Sequence, residues 1–170
     1  MYNRPVGKNA ILNIINQAKN YVYITTPYLI VDYDLTESLC NAAMRGVDVR
    51  IITPKMADKK IVKVMTKSAY PYLMRSGIKI CEYTPGFIHE KCILSDDLYA
   101  IVGTINLDYR SLVHHYENAV WICGSDTVIR IKEEFLKTAS ISLEIDDNDA
   151  KLSLCEWCVS NLVRIFAPLL

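Results

Sequence analysis

A histidine and a lysine two residues apart are the most informative part of the sequence, because their side chains suit chemistry at phosphorus. His89, Lys91 and Asp96 form the pattern HxKxxxxD. In an extended segment, residues two apart point to the same face, so His89 and Lys91 are expected to share one pocket. An imidazole can attack phosphorus or pass a proton, and an ammonium offers donors and positive charge to phosphate oxygens. The pair predicts phosphodiester chemistry without a metal ion or other cofactor.

Polar residues farther along the chain can reach the same phosphate. Thr104 and Asn106 follow a predicted strand and supply a hydroxyl and an amide. Glu117 begins the segment ENAVWIC, and a carboxylate there can hold one nitrogen of a histidine and leave the other free for chemistry. His114 and His115 lie just before that segment, where a surface or supporting role is more usual than a catalytic one.

Three rounds of helix followed by strand must position these residues. The first predicted helix covers residues 8–19. The second has Leu35, Leu39, Ala42 and Ala43 on one face and stops at Gly46, and the third can be capped by Asp58 and runs to about Ser76. The strands that follow them are YVYITT, VDVRIIT and IKICEY. Tyr28, just after the first strand, either lines a pocket at the strand end or packs in the core. Repeated helix-strand units predict a parallel sheet covered by helices.

The second half of the sequence predicts a different arrangement. KCILSD and LYAIVG, joined at Asp96 and Asp97, predict a hairpin, and ENAVWIC predicts a further strand. Asp126 can cap a helix over residues 127–137, the stretch SLEIDDND is polar, and residues 150–166 form a last helix with a broad apolar face. That face is expected to pack against the core or a partner subunit rather than a membrane. The expected fold is one α/β domain over residues 1–170, with a mixed, largely parallel sheet flanked by helices on both faces.

Composition limits the class of protein. Hydrophobic residues make up 51% and charged residues 22%, which is typical of a globular chain. Lys plus Arg and Asp plus Glu both number 19, so no net field draws the chain to nucleic acid, although a local basic patch can still exist. No apolar run approaches the roughly 20 residues that span a bilayer, so this chain is expected to be soluble. The six cysteines are scattered, and we expect them to be reduced and mostly buried, with no metal bound.

The segment HEKCILSDDLYAIVGTINLDYRS resembles the signature of the phospholipase D superfamily, HxKxxxxD followed by GT or GS and an Asn. YITTPYLIVD, AAMRGVDVRIITP, SGIKICEYTPGFIHEK and RIFAPLL further resemble the C-terminal half of bacterial cardiolipin synthases. The segment SLVHHY departs from many relatives, which carry an Asn before an aromatic residue there. The resemblance implies a catalytic group of His89, Lys91 and Glu117 with Asp96 in support, and a phosphate-binding group of Lys91, Thr104 and Asn106.

The resemblance implies a mechanism that needs two histidines facing one phosphorus. One histidine attacks and forms a phosphohistidine, and the other protonates the leaving alcohol and activates the incoming one. This chain has three histidines and only one HxKxxxxD, so a second half must complete the site. Either two copies pair about a two-fold axis or the rest of a longer chain supplies the partner.

The implied reaction moves the phosphatidyl group of one phosphatidylglycerol to another, which yields cardiolipin and glycerol. Such an enzyme works at the bacterial cell membrane, and this chain is expected to be the soluble or peripheral part of it. Two alternatives stay open: a homodimeric phospholipase D-type phosphodiesterase or nuclease, and an inactive isolated half. A nucleic-acid partner is not expected, because a nonspecific nuclease normally carries a basic track.

Overall fold

A seven-stranded mixed sheet forms the centre of the protein, which a computed structural model describes over residues 5–164. In chain order the strands are β1 (Tyr21–Thr25), β2 (Leu29–Ile30), β3 (Asp48–Pro54), β4 (Lys79–Tyr83), β5 (Cys92–Ser95), β6 (Tyr99–Gly103), β7 (Leu107–Asp108), β8 (Ala119–Cys123) and β9 (Ser142–Glu144). The central sheet has the order β8-β6-β5-β1-β3-β4-β9, and β2 and β7 pair separately.

Strand direction decides which loops meet. Strands β1, β3 and β4 are parallel, whereas β5, β6 and β8 on one side and β9 on the other are antiparallel to their neighbours. Thr25 at the end of β1 pairs with Cys92 at the start of β5, and Gly103 at the end of β6 pairs with Ala119 at the start of β8. The carboxyl ends of β1, β3, β4 and β6 and the starts of β5 and β8 therefore share one edge of the sheet, here named the site edge.

Helices cover both faces of this sheet. They are α1 (Val6–Gln17), α2 (Tyr33–Met44), α3 (Lys60–Arg75), α4 (Asp126–Ser140) and α5 (Leu154–Arg164). Alternate side chains of β1 point to opposite faces of the sheet and pack in two separate parts of the core. Val22 and Ile24 pack with α1, α2 and α3, whereas Tyr21 and Tyr23 face α4. Phe135 of α4 stacks on Tyr23 with ring centroids 4.7 Å apart. The mixed α/β sheet predicted from the sequence, with helices on both faces, is confirmed.

The predicted hairpin of β5 and β6 is also confirmed, but two predicted helix caps are wrong. Helix α3 begins after Lys59 without a side-chain cap, because the Asp58 carboxylate instead accepts a hydrogen bond from the Tyr28 hydroxyl at 2.6 Å. Helix α4 is capped by Ser125, whose hydroxyl accepts from the Thr127 amide at 3.2 Å, and Asp126 lies in the first turn.

Three further expectations need correction. The polar stretch SLEIDDND begins with strand β9, which pairs with β4. The last helix begins at Leu154 rather than residue 150, and the predicted residues after Arg164 lie outside the described residues. This helix contacts α3, but Leu154, Trp157 and Leu162 of the predicted packing face are exposed, and Ser160 is the one buried residue within Leu154–Arg164, so the expected packing of this face against the core is wrong. Of the six cysteines, Cys123, Cys155 and Cys158 are exposed rather than buried. None of the helices within residues 5–164 has the length and apolar character that crossing a membrane requires.

Candidate active site

His89 and Lys91 lie at the site edge, in the irregular segment that joins β4 to β5. The Lys91 Nζ lies 3.1 Å from Nδ1 and 3.0 Å from Nε2 of the His89 ring, and it donates to the His89 carbonyl at 2.8 Å. The Phe87 ring lies on the imidazole, with centroids 5.5 Å apart. His89 is exposed and Lys91 is half-buried. The two side chains meet as their spacing predicts, and the imidazole is open to an incoming phosphate.

The pKa of Lys91 reflects its half-buried position. Burial lowers the pKa of Lys91, and the nearby carboxylates of Glu117 and Asp108 oppose that shift by favouring the ammonium. Beneath Lys91, next to Thr26, is a cavity of about 10 Å³, which holds at most one water molecule. A substrate phosphate must therefore approach from the exposed side, over His89.

Thr104 and Glu117 are joined across the ends of β6 and β8. The Thr104 hydroxyl donates to the Glu117 carboxylate and accepts from the Asn118 amide at 3.0 Å. Gly103 makes this approach feasible, because a Cβ at that position would lie 2.2 Å from the Asn118 carbonyl oxygen. The two side chains are thus held side by side at the site edge, and the close strand contact explains why glycine precedes Thr104.

Glu117 has a different imidazole neighbour from the one the sequence suggests. Its carboxylate lies 3.6 Å from Nδ1 of His115, and within residues 5–164 it makes no hydrogen bond to His89. Arg110 donates to Nε2 of His115 at 3.1 Å, and His115 closes a one-turn π-helix (Arg110–His114) through its amide. This Arg110–His115–Glu117 chain was not predicted from the sequence, although the position of His115 two residues before Glu117 was a signal for it. His114 instead packs on Tyr109, with ring centroids 5.5 Å apart.

Asn106 lies just before β7 with one end of its amide unsatisfied. Its Nδ2 donates to the Ser111 hydroxyl at 3.3 Å, whereas its buried Oδ1 has no hydrogen-bond partner in the described part of the chain. The Ser111 amide is in turn held by Asp108 at 2.8 Å. Because the Ser111 hydroxyl can donate as well as accept, a half-turn of the Asn106 amide would satisfy Oδ1 and place Nδ2 in the buried position that Oδ1 now occupies. Nδ2 would then be free to donate to a phosphate oxygen that reaches this position.

Asp96 lies at the opposite edge of the sheet, away from His89. Its carboxylate accepts hydrogen bonds from the backbone amides of Lys19 at 2.7 Å and of Asn20 and Tyr21 at 2.9 Å each. These three contacts fix the chain between α1 and β1 against the hairpin. Asp96 therefore supports the fold at the far end of β5, and it is not placed to touch the reacting atoms.

We expect Asp96→Ala to lower the free energy of unfolding by about 2 kcal/mol, because three backbone amides lose a charged acceptor. Asp97→Ala is a matched control, since both residues have a left-handed backbone, with φ of 54° and 56°, and lose the same carboxylate. Asp97 contacts the Lys132 ammonium and the Tyr21 hydroxyl and, among residues 5–164, accepts from no backbone amide, so its loss should cost less. Urea denaturation measures both variants, and equal losses would contradict the proposed bracing role of Asp96.

A second prediction concerns metal ions. Lys91 places a cation beside the His89 imidazole, where a metal-dependent enzyme would place a divalent ion to neutralise phosphate charge. We therefore expect turnover to be unchanged by strong chelators. Activity that disappears with EDTA and returns on adding a divalent ion would contradict this expectation.

Comparisons with known proteins agree with this fold. The sequence model of the family described as "Cardiolipin synthase, PLD-like domain" matches residues 11–139. The chain is 45% identical over 166 residues to an uncharacterized protein from Streptococcus mutans, covering 97% of this chain and 36% of that protein. It is 34% identical over 166 residues to a cardiolipin synthase from Geobacillus sp., covering 97% of this chain and 33% of that enzyme.

The fold is also similar to that of a solved structure. A phospholipase D family member, Nuc from Salmonella typhimurium, matches with a TM-score of 0.72 and 21% identity, covering 82% of this chain and 91% of that one. The chain spans about a third of the length of the curated relatives named above. The family match and the sequence relatives together establish that this chain belongs to the phospholipase D-like domain family of the cardiolipin synthases.

Proposed function

We propose that the chain provides one half of a two-histidine site that transfers a phosphatidyl group between two phosphatidylglycerol molecules, giving cardiolipin and glycerol. The observation that carries this proposal is the exposed His89 imidazole in contact with the Lys91 ammonium, at the site edge of a domain of this family. An exposed imidazole can reach a lipid head group, and an adjacent cation stabilises the charge that develops on phosphate oxygens.

The reaction requires two displacements at one phosphorus. One histidine attacks the phosphatidyl phosphorus, the bond from phosphorus to the glycerol head group breaks, and the second histidine donates a proton to the departing glycerol oxygen. The hydroxyl of a second phosphatidylglycerol then attacks the phosphohistidine and gives its proton to the second histidine. Cardiolipin leaves, and both histidines return to their starting states.

The remaining side chains act on the phosphate and on the histidines. We propose that Lys91, Thr104 and Asn106 contact the non-bridging oxygens, since all three lie at the site edge and carry hydrogen-bond donors. Thr104 would turn its one hydroxyl hydrogen from Glu117 to a phosphate oxygen. Glu117 contacts no histidine of its own motif, so we assign its orienting role to the histidine that the second half brings.

The second half is needed because His89 cannot act on both sides of phosphorus at once. A nucleophile and a general acid must lie on opposite faces of the phosphate. Of the other two imidazoles of this chain, His115 is held by Arg110 and Glu117, and His114 packs on Tyr109. We propose that the partner is a second copy of the chain or the rest of a longer enzyme at the bacterial cell membrane, of which this domain is a peripheral part.

A second candidate is a homodimeric phosphodiesterase that acts on other substrates, nucleic acid among them. The fold covers nearly the whole of Nuc, so a single half of this size occurs as a chain of its own. The shared fold supports the architecture and does not identify a substrate.

The test is a product assay with phosphatidylglycerol labelled in its head group. Cardiolipin and glycerol are expected as products, with the His89→Ala variant as a blank. Phosphatidic acid and glycerol would instead identify a hydrolase, and release of nucleotides from DNA without lipid turnover would identify a nuclease. The chain would be an inactive half if no product formed with a dimer of the chain or with the chain mixed with the rest of a longer relative.

A further inference from the structure

A group of exposed lysines and apolar side chains lies at the site edge, next to the active-site segment. It is here named the lysine surface and consists of Lys55, Met56, Lys59, Lys60, Ile61 and Phe87. Its first five members lie in the loop after β3 and the first turn of α3, and Phe87 lies in the segment after β4. The Lys55 amide donates to the Tyr83 carbonyl at 3.0 Å, so the two segments are joined at their base.

Positive charge is concentrated at this place, although the whole chain has no net charge. Residues 55–67 contain five lysines and one aspartate, whereas the whole chain has equal numbers of basic and acidic residues. Lys63 turns inward to Glu82 at 2.5 Å, but Lys55, Lys59 and Lys60 have no side-chain partner within residues 5–164. The carboxylates of Glu144, Asp146, Asp147 and Asp149 lie toward the opposite edge, because β9 runs antiparallel to β4. Residues 55–67 therefore carry a local excess of positive charge next to the active site and away from this acidic segment.

The position of these lysines does not help the fold. The N-terminus of α3 carries the positive end of the helix dipole, which favours acidic residues, yet its first turn has none and Lys59 and Lys60 lie there. Asp58, the one carboxylate in this loop, is engaged by the Tyr28 hydroxyl at 2.6 Å. An anionic partner would relieve the resulting repulsion.

The apolar members of the surface indicate the kind of partner. Met56 is 60% exposed and Ile61 is 41% exposed, both within the lysine-bearing segment, and Phe87, beside His89, is 41% exposed. A bilayer interface accepts both kinds of side chain, with ammonium groups at the anionic head groups and apolar groups at the acyl boundary. A nucleic-acid duplex offers phosphates but little for such apolar side chains to contact.

We propose that the lysine surface docks the protein on an anionic lipid bilayer and so presents His89 to the head groups. Phe87 lies against the His89 ring, so a bilayer that takes up Phe87 meets the reactive imidazole at the same depth. This inference deepens the proposed function, since it concerns how that site reaches a lipid substrate. The docking proposal is tested by vesicle binding alone, without an activity assay. Docking can therefore be wrong while the proposed reaction is right, and the proposed reaction can be wrong while docking is right.

The experiment is sedimentation of the 170-residue chain with vesicles, of phosphatidylcholine alone or mixed with phosphatidylglycerol. The chain should bind the anionic vesicles and leave the neutral ones largely free, with binding that weakens as salt is raised. The triple variant Lys55→Gln, Lys59→Gln and Lys60→Gln should lose on the order of a hundredfold in partitioning, about fivefold per lysine. His89→Ala should bind as the parent does.

Matched controls separate this surface from net charge and general hydrophobicity. Lys19→Gln, Lys79→Gln and Lys151→Gln remove the same charge elsewhere and should bind within about threefold of the parent. Met56→Ser with Ile61→Ser should weaken binding several-fold, whereas Ile129→Ser with Leu136→Ser, exposed on α4, should not. Circular dichroism confirms that each variant is folded.

Three outcomes would overturn the proposal. Equal binding to neutral and anionic vesicles would show that the lysines do not drive docking. Equal losses of vesicle binding in the two triple variants would show that net charge, rather than this surface, determines binding. Binding of duplex DNA that the lysine-surface variant loses, with no binding to anionic vesicles, would assign the surface to nucleic acid instead.

Discussion

Replacing His89 with alanine is expected to abolish phosphodiester transfer and to leave the fold intact. The imidazole is the group that bonds to phosphorus or moves the proton, so its loss should reduce turnover by at least about a thousandfold. The side chain is exposed and contacts only Lys91 and Phe87 among the interactions described above, so the core does not depend on it. The measurement is a turnover assay together with circular dichroism of the same sample.

His114→Ala is the matched control for this experiment. It removes an exposed histidine that packs on Tyr109 and touches neither His89 nor Glu117 in the structure. We expect turnover within a few-fold of the parent. Near-parental turnover in His89→Ala would remove His89 from the mechanism, and loss of the circular dichroism signal would make its role structural.

The second large effect is expected when active and inactive chains share one site. If two copies pair, a parent chain bound to a His89→Ala chain has only one of the two histidines and should be inert. With about nine parts of variant to one of parent, only about one parent chain in ten finds another parent, provided that pairs form at random. Turnover per parent chain should fall to about that fraction, and monomers isolated by dilution should be inactive.

The control for the mixing experiment is His114→Ala added in the same excess, which should leave the turnover per parent chain unchanged. Turnover strictly proportional to the parent chain in the His89→Ala mixture would mean that each chain works alone and that the two-histidine mechanism is wrong. If the homodimer is absent and the second half belongs to a longer chain, the isolated protein should be inactive until that half is added.

Local sequence patterns were sufficient for the larger elements. The apolar spacing of Ile11, Ile14 and Ile15 and the alternation in β1 depend on neighbours within a few residues, which is why α1, β1 and the later helix-strand rounds could be predicted. The hairpin was predictable because Asp96 and Asp97 tolerate the left-handed backbone that its turn requires. Strand β9 was missed because its three residues, which are largely exposed, show no clear alternation of apolar and polar side chains. Only their pairing with β4 makes them a strand.

The sequence by itself determined which residues are candidates for the site, since the spacing of His89 and Lys91 and the order of Thr104, Asn106 and Glu117 are properties of the chain. Only the tertiary structure decided which contacts these residues make. It placed Asp96 at the opposite edge of the sheet and put Glu117 beside Thr104 and His115, because hydrogen bonds between β6 and β8 set their positions. It also brought the lysines after β3 to the same edge as His89, because β1, β3 and β4 run parallel. The net charge of zero does not show this local excess of positive charge.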